Sequence, residues 1–117
     1  MTVEEFYTKL GGNYQYALSI MMSPSFVLRM LNKFKDNNSY NDLIKAYEDK
    51  NYKDVFTYSH ALKGVTGNLA LTPLFDLSNK ITEATRNYDG GSISLDEDID
   101  LLKEKYAQFL DLIKEVE

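Results

Sequence analysis

Apolar residues recur at three- and four-residue intervals along almost the whole chain, and nothing reads as a strand pattern. That period collects side chains on one face of an α-helix rather than on one face of a strand. Phe6 and Leu10 mark a short opening helix that ends at Gly11-Gly12, and a second short helix is expected from about Tyr14 to Met21. Ser23 followed by Pro24 reads as an N-cap and a first helical residue, and Val27, Met30, Leu31 and Phe34 line the helix they begin. Asp36 to Ser39 break the pattern, with Ser39 as the cap of a helix lined by Tyr40, Leu43, Ile44 and Tyr47. Asp49 to Tyr52 form a tight connection into a helix that runs to about Leu69 or Leu71. Thr72 as cap and Pro73 at the first position restart the chain, with a stripe of Leu74, Leu77, Ile81, Ala84 and Tyr88. The loop Asp89 to Ser92 precedes a last helix from about Leu95 to the end, lined by Ile99, Leu102, Tyr106, Phe109, Ile113 and Val116.

Short loops make successive helices antiparallel. The expected fold is one all-α domain over residues 1–117, an antiparallel up-and-down four-helix bundle with short extra helices at the N-terminal end. A chain of this length buries a core without staples, and 44% hydrophobic residues set it apart from a disordered chain.

The absence of cysteine excludes a disulfide scaffold, a thiolate nucleophile and a zinc–cysteine site. With one histidine and no calcium-loop spacing, no metal site is expected. A net charge of −5 disfavours binding along nucleic-acid phosphates. The N-terminus has neither the basic start nor the apolar run of a signal peptide, and no segment is long enough to span a membrane. A cytoplasmic protein is expected, either free-standing or a domain of a larger kinase, with no nucleic-acid or membrane partner.

The one histidine, His60, lies in Ser59-His-Ala-Leu-Lys-Gly-Val-Thr-Gly-Asn-Leu69. At about 100° per residue, Val55, Tyr58, Leu62, Val65 and Leu69 fall within about 40° of the direction opposite His60. His60 is therefore expected in water, sharing its face with Lys53, Phe56, Gly64 and Gly67, with Thr57 and Lys63 at the edges. Each glycine inside a helix costs about 1 kcal/mol relative to alanine. Two of them beside the imidazole bare the backbone for the approach of another protein. An exposed imidazole on a convex helix makes a poor catalytic pocket and a good carrier of a transferable group. A phosphoryl group fits best, with Lys63 one turn away offering charge to its oxygens.

These residues resemble the signature of histidine-containing phosphotransfer (HPt) domains. The matching pattern is a small residue (Ser59), His60, any residue, Leu62-Lys63-Gly64, then mostly small residues and a further glycine, Gly67. The flanking segments Leu43 to Tyr58 and Leu71 to Asn87 resemble the helices on either side of that signature. The resemblance implies that His60 accepts a phosphoryl group from a receiver-domain aspartate and passes it to another. It implies receiver domains of response regulators or hybrid histidine kinases as partners, magnesium in the receiver, and no cofactor of the chain's own. Lys63 would hold the phosphate, Gly64 and Gly67 would admit the receiver, and Phe56 and Thr57 would support the docking face. Ala70 stands where many members carry glycine, with little effect expected on His60. Ser59 replaces a common alanine, and Arg86 on the following helix is read as an ordinary solvated arginine, with reach to the phosphate side as the lesser alternative.

Two other classes compete. A helical interaction module that never carries phosphate shares this periodicity, and it would tolerate His60→Gln. A di-metal bundle enzyme needs Glu three residues before its histidine, and Thr57 stands there.

Overall fold

Each short helix begins and ends for a local reason. Thr2 and Glu5 form a reciprocal capping box at the start of α1 (Val3–Leu10), and Gly11 closes it at φ 91°. Asn13 caps α2 (Tyr14–Met21) through its side-chain oxygen, and Ser23 does the same for α3 (Pro24–Lys35), with Pro24 at its first turn. The computed structural model describes all residues, Met1–Glu117, and continues through α4 (Ser39–Glu48), α5 (Tyr52–Asn68), α6 (Thr72–Thr85) and α7 (Asp96–Ile113). The chain is all-α and has no strand. No helix is long and apolar enough to cross a membrane.

Two caps differ from the sequence expectation. Ser39 and Thr72 are first helical residues, and neither helix start has a side-chain cap bond. Pro73 lacks a backbone N–H, so the first turn of α6 has one fewer donor to satisfy. The helix also stops at Thr85, short of Tyr88.

Helix α5 packs between α4 and α6, α6 packs on α7, and α1 and α3 also meet α7. Phe6, Phe34, Tyr106 and Phe109 join α1, α3 and α7 in one aromatic cluster, with Phe34 and Phe109 5.1 Å apart edge to face. Tyr40 of α4 stacks flat on Tyr106 at 3.7 Å.

The seam between α5 and α6 departs from the apolar stripes expected of it. Val55, Leu62, Leu69, Leu74 and Ile81 are buried, but Tyr58, Val65 and Leu77 are half-buried and Ala84 is exposed. Ser59, Thr66, Ser78, Thr82 and Thr85 take the buried places between the helices. Their hydroxyls donate to carbonyls of their own helices, from Thr66 to Leu62 at 2.8 Å and from Ser78 to Leu74 at 2.7 Å, for example. Small side chains with internally satisfied hydroxyls let the two helices approach closely, and no buried polar side-chain atom is left unpaired.

The N-terminal helices dock on the α5–α6 turn. Tyr7 donates to the Leu69 carbonyl at 2.6 Å, and the Asn13 N–H donates to the Ala70 carbonyl at 2.9 Å. A Cβ at Gly12 would stand 2.7 Å from that Ala70 oxygen, so the approach requires glycine. Ala70 itself turns the chain at φ 54°, in the left-handed region that glycine takes most readily.

Candidate functional site

His60 is exposed on α5, turned away from the buried line Val55, Ser59, Leu62 and Thr66. Its ring lies parallel to that of Phe56, one turn earlier, with centroids 5.8 Å apart and planes 11° from parallel. The guanidinium of Arg86 covers the Phe56 ring at 5.5 Å. The half-buried Phe56 thus joins the imidazole to a cation just past the C-terminal end of α6.

On its other side His60 opens onto a broad groove of about 560 Å³. Lys63, Gly64 and Gly67 line it from α5, together with Asn13, Tyr16, Thr72 and Phe75 from other segments. Lys63 makes no ion pair, which leaves its ammonium available to an anion at the ring. The two glycines divide in role. A Cβ at Gly64 would meet nothing within 4 Å, so the helix surface beside His60 is bare. At Gly67 a Cβ would stand 3.1 Å from the Phe75 ring, so that glycine seats a side chain of α6. The expectation that both glycines bare the backbone holds at Gly64 alone.

Thr57 is exposed, does not line the groove, and its hydroxyl donates to the Lys53 carbonyl at 3.2 Å. Ala70, expected to lie away from His60, shares the groove with it. Local spacing could not reveal Asn13, Tyr16 and Phe75, because packing between helices brings them in.

Arg86 is held by Glu83 through a 2.8 Å ion pair and two longer contacts from its Nε. This pair holds the Glu83 carboxyl below its ordinary range, chiefly through the Arg86 hydrogen bond, with smaller contributions from the charges of Lys63 and His60. Arg86 in turn is held above its ordinary value by Glu83. An arginine therefore holds a carboxylate on an open helical face that also carries an exposed imidazole and a lysine. Such a face suits an anionic group presented to a second protein. No group of three His, Cys, Asp or Glu side chains converges on a point where it could hold a metal ion.

No protein family, curated protein or solved structure matches this chain.

Proposed function

We propose that this chain is a cytoplasmic histidine phosphocarrier of a multistep two-component phosphorelay, with α4–α7 as an up-and-down four-helix bundle. The observation that carries the reading is the exposed His60 imidazole, stacked on Phe56 and bordered by the bare helix surface at Gly64. An unprotonated ring nitrogen attacks the phosphorus of a receiver's aspartyl phosphate. The P–N bond forms as the P–O bond breaks, and the aspartate leaves as a carboxylate. The reverse exchange delivers the group to a second receiver. Receiver magnesium supplies most of the charge neutralisation, so the chain needs only to position the ring and hold the oxygens. Lys63 serves the second role.

Phosphoryl transfer from a magnesium-loaded, phosphorylated receiver domain, with His60→Gln alongside, tests the reading. Acid-labile, base-stable label on the wild type alone supports it. No label from several receivers overturns it in favour of a helical interaction module. The absence of any charged residue between Lys9 and Arg29, with Tyr16, Ile20, Met22 and Phe26 exposed, would suit such a module.

A further inference from the structure

Helices α5 and α6 run antiparallel in a register fixed by three contacts. Gly67 meets Phe75, Ser59 meets Thr82 at 3.0 Å between hydroxyl oxygens, and Phe56 meets Arg86. The residues next to the central pair are His60 and Glu83, and both are exposed. The register therefore sets an acid beside the imidazole, and that acid occupies the Arg86 guanidinium.

An acid there is unfavourable for a ring that is to carry a doubly negative group, unless it can be displaced. We infer that Glu83 is the resident anion of the unloaded site, and that loading His60 displaces it and passes Arg86 from its carboxylate to the phosphoryl oxygens. The inference rests on the phosphocarrier reading and adds a state-dependent exchange to it. The Glu83–Arg86 pair is a single exposed i,i+3 contact, of the kind a stronger local charge breaks readily. Arg86 already lies over the Phe56 ring that stacks on His60, so the exchange calls for a turn of the Arg86 side chain toward the imidazole. The lowered proton affinity of Glu83, set first by the Arg86 hydrogen bond and in smaller part by nearby charge including Lys63, agrees with a carboxylate held at this face.

Phosphoramidate loads His60 without a receiver. The imidazole nitrogen forms a new P–N bond, and the donor's P–N bond breaks to release ammonia, which carries off the imidazole proton. The 31P resonance of the loaded protein then reports the second ionisation of the phosphoryl group. Besides Glu83 and Arg86, the titratable side chains toward the site are Lys63, which lines the groove from α5, Tyr16, which lines it from α2, and Lys53, exposed two turns before His60 on the same face. In R86Q the titration midpoint is expected to rise by a few tenths of a pH unit, because a cation is lost. In E83Q it is expected to fall by a similar amount, and in E83Q/R86Q the Glu83 effect shrinks. Melting temperatures of the unloaded variants stay at the wild-type value, since both side chains are exposed. Loading with the same midpoint in all four proteins overturns this inference and leaves the carrier reading standing. A wild type that takes no label from phosphoramidate or from receivers overturns both.

Discussion

The ring of Phe75 occupies the space that a side chain at Gly67 would need, with two ring carbons 3.1 Å from the position of a Cβ. Gly64, one turn earlier on the same face, has nothing within 4 Å. The two substitutions should therefore differ in sign. Gly64→Ala recovers helix propensity without a clash and is expected to stabilise the fold by up to about 1 kcal/mol. Gly67→Leu displaces Phe75 and is expected to lower stability by about 1–3 kcal/mol. Urea midpoints of the two variants and the wild type check the order. Under the proposed phosphocarrier function, Gly64→Gln is expected to crowd the face beside His60 and slow phosphoryl transfer, with stability equal or better.

Ser59 and Thr82 set the register that brings Glu83 to His60. Ser59 is fully buried and donates to the Phe56 carbonyl at 3.1 Å, and Thr82 also donates to the Ser78 carbonyl at 2.8 Å. Ser59→Ala leaves Thr82 satisfied and is expected to cost less than about 1 kcal/mol. Ser59→Leu forces bulk into a seam of small side chains and is expected to cost about 1–3 kcal/mol. Thermal unfolding followed by circular dichroism measures both. Equal melting temperatures for the two variants would mean that the seam does not require a small residue.

The element order was legible because it rests on local signals. Gly11, Asn13, Ser23-Pro24 and the Asp89 to Ser92 loop act within a few residues of themselves, and the helices between them carry strong periodicity. The outward placement of His60 was legible for the same reason, since Val55, Leu62 and Leu69 lie opposite it and are buried. What a hydrophobic reading missed is the Ser/Thr seam. A hydroxyl that donates to its own helix can be buried, so Ser59, Ser78 and Thr82 look like surface residues in the sequence and are not. The role of Gly67 was illegible because its cause, Phe75, sits on another helix. Ala70 was equally illegible as a turn: it holds a left-handed backbone at φ 54°, which glycine takes most readily and which an alanine in the sequence does not signal.

Several phenols make stability fall at alkaline pH. Burial pushes the phenols of Tyr7, Tyr40 and Tyr106 above their usual value, and burial followed by the hydrogen bond to Asp96 does the same for Tyr47. The folded state thus holds these protons more tightly than the unfolded chain, whose phenols titrate near pH 10. The stabilisation is complete below about pH 10 and is lost as pH rises beyond it. A strongly shifted phenol such as Tyr7 removes up to about 1.4 kcal/mol per pH unit in that range. Urea unfolding at about pH 8 and about pH 11 should show the loss, and Tyr7→Phe should reduce the difference between the two.

Met22 closes α2 in the left-handed region at φ 74°, and its side chain is 84% exposed. A side chain there costs about 1–2 kcal/mol in backbone strain, and this one recovers almost nothing through burial. Glycine relieves the strain and gives back part of the gain through the greater freedom of its unfolded chain. Met22→Gly is therefore expected to stabilise the protein by about 0.5–1 kcal/mol, or a few degrees in melting temperature. Ala70→Gly relieves similar strain at φ 54°, but the Ala70 methyl is buried, so its removal takes back most of the gain. Melting curves of the two variants should place Met22→Gly above Ala70→Gly. The opposite order would mean that the Met22 side chain makes a stabilising contact in solution.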